Sequence, residues 1–578
     1  MESPDRNSLF PADEGHNVLP NHPLFNKLLR LAHDKPQKTS IRDDNLGIEK
    51  SRIQLLTDIL RYGQVIKGHL TFEARAKLRE RQPVYIAVLA PGGYEYAVAI
   101  LAALSLGAVV VPIATALPVE EALYYVNQSR SVAVLTSSGS DKLGLALEQR
   151  MQTSSNPDFK TIPIAPHFQT SALHVHDITT SSDRALDDNA PGVIIFTSGT
   201  TGKPKGAIHR RAVTHETARA LADHYKIAED DVILHLLPVH HATGACVSFF
   251  PFLISGACIE FCSGSFNAAW TWERWRKGGL TFFTGVPTIY TRMMRFYEQN
   301  ISRLSPVVRN EYIAGAKQFR AMLCGTSALP RPIQDFWTSI RDGKVILTRY
   351  GGTESGAVCK VTLDPGDTPD GSVGEIIPGA TVKLTEGDEG EMLIKCNSMF
   401  SGYLNDAKAT LEVHDANGFY KTGDIARREG RYYFILGRAS IDLLKSGGYK
   451  ISALDIEREC LGLPYIHEVM VVGVDDEEWG QRVAAVVTLR DDQTQFVTNG
   501  KKGSEQLTLD RLRADLSSKL ARYKLPTLLR VVEGELPKTA TGKVAKKVLG
   551  PKYFPQDYSK ILEVQIWNSG SKKNMSKL

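Results

Sequence analysis

Ten consecutive residues combine three glycines, four hydroxyls and two lysines: Thr197, Ser198, Gly199, Thr200, Thr201, Gly202, Lys203, Pro204, Lys205 and Gly206. Glycine lets the backbone come close to an anion. Amides and hydroxyls can then donate to phosphate oxygens while lysine supplies charge. A Walker loop would need a Lys-Ser or Lys-Thr end. Here Pro204 follows Lys203 and the glycine spacing differs, which disfavours a P-loop kinase or ATPase. Four further clusters are weak one by one. In Arg349-Tyr350-Gly351-Gly352-Thr353-Glu354 the Tyr350 ring can stack on a base, and the Glu354 carboxylate can hold Mg2+ on a nucleotide. Tyr420-Lys421-Thr422-Gly423-Asp424 puts an acid beside a glycine turn, a setting that suits a ribose diol. Gly437-Arg438 marks a change of character in the chain, and Pro537-Lys538-Thr539-Ala540-Thr541-Gly542-Lys543 is a polar loop ending in lysine.

These clusters need elements to hold them. The phosphate-type loop follows an apolar β-branched run, 193–196, and the Tyr350 cluster follows another, 345–347. Runs at 84–89, 109–113, 132–135, 232–237, 280–283 and 322–323 read as further buried strands, with helices at 95–106 and 120–129 between them. Such alternation predicts a parallel sheet covered on both faces. The stretch from 136 to 190 reads as a polar loop region, and the first 80 residues carry no signal beyond packing. From about 370, glycine-rich strands at 381–384, 390–395 and 431–436 suggest an antiparallel, barrel-like part. Beyond 437, helices at 452–461 and 509–520 and strands at 469–474, 483–489 and 528–532 predict a compact α+β unit. The expected organisation is therefore α/β: a large domain over 1–436, a small α+β domain over 437–550, and a basic tail over 551–578.

Composition narrows the class. The 578 residues are 42% hydrophobic and 23% charged, ordinary for a globular chain that buries a large core. Residues 543–578 hold eight lysines against two acids, which leaves the rest of the chain at −1 out of a total of +5. A nucleic-acid binder needs a basic face on its folded body, and none is indicated. The seven cysteines form no Cys-x-x-Cys pair and read as reduced, packed thiols. The uncharged stretch 96–118 is alanine-rich and divided by Gly107, so a buried helix and strand are expected there rather than a membrane span. No secretory signal opens the sequence, and it closes on Ser576-Lys577-Leu578, the address read by the peroxisomal import receptor.

The five clusters in this order resemble the adenylate-forming superfamily over residues 80 to 550. The superfamily comprises acyl-CoA synthetases, luciferases and peptide-synthetase adenylation domains. Val286-Pro287-Thr288-Ile289-Tyr290-Thr291-Arg292 and Ser446-Gly447-Gly448-Tyr449-Lys450 are similar to the malonyl-CoA synthetase branch. The resemblance implies an ATP-dependent, AMP-forming acyl-CoA ligase that uses ATP, Mg2+ and CoA. It places the loop Thr197 to Lys205 over the β- and γ-phosphates, Tyr350 on adenine, Thr353 on the α-phosphate and Glu354 on Mg2+. Asp424 and Arg438 then take the ribose, with Arg438 at a hinge about which the small domain rotates. The acidic or lysine residue usual two positions after that arginine is Ser440 here. Lys543 bridges carboxylate and α-phosphate, and Gly447 and Gly448 line the CoA tunnel. His241, Arg292, Gly325 and Thr326 fall to the acyl pocket, where Arg292 answers a second carboxylate or is a plain helix-surface arginine. The acid is malonate-like or a larger fatty or secondary-metabolite acid. Three alternatives remain at this point: an adenylation enzyme loading a carrier protein in trans, a luciferase-like oxygenase, and a non-catalytic nucleotide binder.

Overall fold

The computed structural model describes residues 15–154, 156–168, 171–197, 203–262, 264–490, 506–538 and 543–567, with backbone alone at Arg184. Two large, mainly parallel sheets form the body. One has seven strands in the order Gly402–Tyr403, Lys205–Arg210, Pro191–Thr197, Val109–Pro112, Tyr85–Leu89, Ala133–Thr136 and Lys160–Pro163. The other has nine, in the order Glu375–Ile376, Gly356–Lys360, Leu347–Gly352, Ala321–Cys324, Phe282–Gly285, Val232–His235, Cys258–Phe261, Thr39–Asp43 and Ile48–Ser51. The strands from Leu347 to Thr39 along that order run parallel, and both edges are antiparallel.

The main core lies between these sheets. The helices Arg52–His69 and Tyr94–Ser105 fill it, and every residue of Tyr94–Ser105 but Glu95 is buried. An alanine-rich, nearly uncharged helix is what a site closed on all sides requires. Thus the stretch 96–118 folds as a helix and the strand Val109–Pro112. Among the described residues no helix is long and apolar enough to cross a membrane.

Two expectations need correction, and one open question is answered. The stretch 136–190 is not a polar loop: it contains the helix Asp141–Ser154, the strand Lys160–Pro163 that closes the first sheet, and the strand Thr179–Ala185. The helix buries only Gly144, Leu147 and Met151, too sparse a stripe to stand out in a polar sequence. Residues 15–80, whose role the sequence left open, take part in the sheets. They supply two strands of the second sheet, and Val18–Asn21 pairs in parallel with Thr179–Ala185. The tail does not begin at 551. Phe554 and Val564 are buried, Val564–Ile566 pairs with Leu528–Val532, and Trp567 covers the Arg513 guanidinium at 3.9 Å. Residues 568–578, with Ser576-Lys577-Leu578, lie outside the described residues.

A four-stranded antiparallel sheet, Ala380–Glu386, Glu389–Cys396, Tyr420–Glu429 and Tyr432–Arg438, forms the smaller part of the body. Beyond it, residues from Leu444 onward pack into two cores of their own around Ile466–Asp476 and Gly480–Leu489. The seam between this small unit and the body is polar. Lys450 meets Glu386 at 3.2 Å, Arg292 meets Glu535 at 3.6 Å, Arg458 pairs with Asp370, and Arg295 donates to the His467 carbonyl at 2.6 Å. Exposed pairs of this kind contribute about 0–1 kcal/mol each.

Candidate active site

The site gathers where the four-stranded sheet, the edge of the nine-stranded sheet and the small unit meet. Asp424 and Arg438 face each other across the antiparallel pair Tyr420–Glu429 and Tyr432–Arg438, and Arg438 Nε lies 2.9 Å from Asp424 Oδ1. The other carboxylate oxygen accepts the Tyr350 hydroxyl at 2.7 Å. Burial opposes the Arg438 charge, but Asp424 together with Tyr420, Tyr350 and Glu354 outweighs it and raises the guanidinium pKa. Burial and the Asp424 charge likewise keep the Tyr350 phenol protonated.

Tyr350 stands on a bulged hairpin, Leu347–Gly352 against Gly356–Lys360. At Gly351 a Cβ would fall 1.9 Å from the Gly356 carbonyl oxygen, so only glycine lets the two strands close. The turn of this hairpin carries Thr353 and Glu354, both half-buried. Glu354 Oε1 accepts the Tyr403 hydroxyl at 2.8 Å, while Oε2 has no hydrogen bond among the described residues. One ordered carboxylate with a free oxygen suits Mg2+, which takes one or two carboxylates together with substrate phosphates.

The first cluster lies on a hairpin between Pro191–Thr197 and Lys205–Arg210, in which Thr197 pairs with Lys205. Ser198, Gly199, Thr200, Thr201 and Gly202 lie outside the described residues. Of the flanks, Lys203 is exposed over the Tyr124 ring at 5.5 Å, and the Pro204 carbonyl accepts the Tyr124 hydroxyl at 2.8 Å. Lys205 Nζ sits 5.2 Å over the Tyr403 ring and 3.7 Å from Asp406. The tyrosine that holds Glu354 therefore also seats Lys205. Sequence reasoning did not single out Tyr403, because Gly402–Tyr403 is a two-residue strand with no surrounding pattern.

Lys543 comes from the small unit. The residue keeps exposed surface, yet its ammonium is desolvated and crowded by Arg438, both of which lower its pKa, while Asp424 and Asp442 pull the other way. Its field also reaches His241, whose pKa burial and Lys543 together lower. So Lys543, Arg438, Asp424 and His241 converge from four separate stretches of chain. Just beyond it, Lys546 binds Asp442 at 2.6 Å and Glu457 at 2.8 Å, and Asp442 accepts the Arg438 amide at 3.1 Å. That buried network ties the start of the small unit to the Lys543 loop.

The acyl-pocket residues are only partly together. His241 Nε2 and Thr326 Oγ1 are buried and have no hydrogen-bond partner among the described residues. Thr326 also has φ +72, a left-handed backbone that a β-branched residue adopts only under strain. Gly325, just before it, follows the strand Ala321–Cys324. Arg292 stands apart, half-exposed, with its charge met by Glu535. Gly447 and Gly448 form the two-residue turn between Leu443–Ser446 and Tyr449–Ser452, with φ +55 and +84 as a tight hairpin needs. Gly447 packs on Trp479, and a Cβ on Gly448 would meet open space.

Comparison with known proteins finds similarity over most of the chain. Residues 72–404 match the family model described as AMP-binding enzyme, and residues 455–543 match the AMP-binding enzyme C-terminal domain. The acyl-CoA ligase oryP of Aspergillus oryzae is 31% identical over 545 residues, covering 93% of this chain and 94% of that protein. The malonate–CoA ligase of Arabidopsis thaliana is 33% identical over 527 residues, covering 86% and 82%. The ATP-bound crystal structure of MatB from Rhodopseudomonas palustris shares the fold, with a TM-score of 0.75 at 24% identity over 92% of this chain and 99% of that one.

Proposed function

The chain belongs to the AMP-binding enzyme family, and we propose that the residues converging on Asp424 and Lys543 carry its two half-reactions. The activity is ATP-dependent ligation of a carboxylic acid to CoA through an acyl-adenylate. In the first step a carboxylate oxygen attacks the ATP α-phosphate and pyrophosphate leaves. In the second the CoA thiolate attacks the acyl carbonyl and AMP leaves.

The observation that carries the assignment is the meeting of Lys543 with Arg438, Asp424 and His241. Two anions must approach each other, and at an effective dielectric near 20 one charge pair at about 4 Å contributes roughly 4 kcal/mol. Lys543 supplies that charge from the small unit. Asp424 accepts from the ribose hydroxyls with Arg438 beside it, Tyr350 stacks on adenine, and Thr353 reaches the α-phosphate. The stretch from Thr197 to Lys205 covers the β- and γ-phosphates. Glu354 would hold Mg2+, whose charge offsets that of the phosphates. His241 stays neutral and leaves the approaching carboxylate to Lys543.

For the second step the small unit turns about Arg438 and brings Gly447 and Gly448 to the CoA channel. Its polar seam of individually weak pairs makes that turn inexpensive. The acid lies against His241, Gly325 and Thr326. A malonate-like acid would draw Arg292 away from Glu535, whereas a larger one would extend past Gly325. Ser576-Lys577-Leu578 supports delivery to the peroxisome. Removing those three residues from a fluorescent fusion should leave it in the cytosol, and unchanged peroxisomal signal would refute that assignment.

The deciding experiment is pyrophosphate release with ATP and Mg2+ across malonate, methylmalonate, medium-chain, long-chain and aromatic acids, each with and without CoA. Acyl-CoA formed in step with AMP supports the ligase. Acyl-adenylate that accumulates regardless of CoA would point to a carrier protein as acceptor.

A further inference from the structure

Seven cations are buried among the described residues: Arg52, Arg211, Arg274, Arg341, Arg349, Lys360 and Arg513. Five of them are answered. Arg274 pairs with Glu260, and Arg52 with Glu229 and two carbonyls. Arg211, Arg341 and Arg513 each donate to backbone carbonyls. Arg349 and Lys360 are different. Among the described residues Arg349 donates to the neutral hydroxyl of Thr284, at 3.0 Å, with the neutral Tyr225 hydroxyl beside it and no acid. The Lys360 ammonium makes no hydrogen bond or ion pair among the described residues, although the residue is 2% exposed.

These two cations are neighbours. They lie directly opposite each other on Leu347–Gly352 and Gly356–Lys360, so their side chains share one face of the sheet. What surrounds them is neutral. The Tyr225 ring is 6.0 Å from Lys360 Nζ, and its hydroxyl is buried without a well-formed hydrogen bond. The Cys324 and Cys359 thiols are pushed by burial up to about 12, so neither offers an anion. His224 is driven down to about 4 by burial and by Lys360, so it stays uncharged. Two like charges buried together without an acid are costly. The cost shows in Lys360 itself, which burial and Arg349 bring down to about 7.

Position supplies the meaning. Thr284, Gly325 and Arg349 lie at the carboxyl ends of three adjacent parallel strands, where open α/β sheets take their ligands. A Cβ on Gly325 would sit 3.2 Å from Arg349 Cγ and 3.6 Å from its Nε, so Arg349 lies directly against Gly325, the residue before Thr326. We propose that Arg349 and Lys360 form an anion-binding site at the inner end of the acyl pocket, which receives a carboxylate of the acid remote from the one that reacts. The site rests on the reading of His241, Gly325 and Thr326 as the acyl pocket of a ligase. It assigns the substrate class as an acid with two separated carboxylates, the inner one held by Arg349 and Lys360 and the outer one presented to Lys543.

The test is acyl-CoA formation by the full chain with malonate, succinate, glutarate, adipate and suberate, against propionate, butyrate, valerate, hexanoate and octanoate. It is run on the wild type, Lys360→Met and Lys360→Arg. Expected is a kcat/KM for at least one dicarboxylate about tenfold or more above its matching monocarboxylate. That ratio should fall at least about tenfold through KM in Lys360→Met, the size of one charge-assisted contact, and survive in Lys360→Arg. In the wild type the dicarboxylate KM should also climb as pH rises past about 7 and Lys360 sheds its proton, a rise absent from Lys360→Arg. A ratio that Lys360→Met leaves unchanged, or a wild type that favours every monocarboxylate, would overturn the site while leaving the ligase intact. If no acid is ligated, it is the ligase reading that fails. The site is then decided by thermal shift: stabilisation by a dicarboxylate that disappears in Lys360→Met supports it, and equal or absent stabilisation overturns it.

Discussion

Arg438 and Asp424 face each other at 2.9 Å across two strands of the body, yet the next residues after Arg438 lead into the small unit. One ion pair thus joins the ribose acceptor to the place where the chain changes domain. Asp424 is 15% exposed and already receives the Tyr350 hydroxyl. Asp424→Asn keeps the shape but removes the charge and strands Arg438. The KM for ATP should rise about ten- to a hundredfold, the scale of losing a hydrogen bond to a charged group. Tyr350→Phe, which deletes a neutral donor, should cost less. An ATP KM within about twofold of wild type in Asp424→Asn would remove Asp424 from the ribose site.

Lys543→Ala should slow pyrophosphate release by at least about a hundredfold, as loss of a preorganised charge does. Thioester formation from supplied acyl-adenylate should be far less affected, because the α-phosphate has already reacted. Lys543 acts as an ammonium, and burial with Arg438 lowers its pKa. The rate of the first step should therefore decline on the alkaline side at a lower pH than an ordinary lysine would give. A variant whose two half-reactions fall together would point to misfolding or to a role in both steps.

Much of this arrangement was legible in the sequence because its signals are local. Strand runs followed by glycine and hydroxyl residues pointed to Thr197 and Tyr350, an acid beside a glycine turn pointed to Asp424, and the resemblance of the five clusters to the adenylate-forming superfamily linked them to Lys543. Contacts between distant segments were not legible. Tyr403 is 49 residues from the Glu354 it holds. Lys546 lies 104 residues from Asp442. That Lys360 has no hydrogen-bond or ion-pair partner among the described residues is equally invisible, since a lone lysine after Val358-Cys359 reads as the solvated end of a strand. Burial decides that case, and burial is a property of the folded sheet. The helix Asp141–Ser154 failed for the opposite reason, since it buries too few residues to leave a stripe.

Gly351→Ala and Gly352→Ala should behave very differently. A Cβ at 351 falls 1.9 Å from the Gly356 oxygen and 2.8 Å from the Ala357 Cα, both backbone atoms that cannot step aside. The hairpin carrying Tyr350, Thr353 and Glu354 has to open, at a cost on the order of 1–3 kcal/mol and with weakened ATP binding. At 352 the nearest atom is Ser355 Oγ at 3.5 Å, an ordinary contact. Denaturant unfolding and ATP titration of both variants check this, and equal stability of the two would mean that the strands are not closed at Gly351 in solution.

Lys360→Met should stabilise the protein, and more so in acid. Lys360 has a folded pKa of about 7 against the ordinary 10.5. Below about pH 7 both folded and unfolded states carry the ammonium, and the folded state bears the whole cost of burying it beside Arg349. Between about 7 and 10.5 the unfolded chain holds a proton that the folded one has released, so wild-type stability rises with pH across that window. Methionine is close in volume and carries no charge, so the variant lacks this dependence. A tenfold change in proton affinity between folded and unfolded states is worth about 1.4 kcal/mol. The advantage of Lys360→Met over wild type should therefore be at least about 1 kcal/mol at pH 6 and should shrink by pH 9. Thermal melts at the two pH values measure it without any substrate. An advantage that stays the same at both would mean that Lys360 finds an acid in solution, and the two cations would then have no unmet charge to offer a ligand.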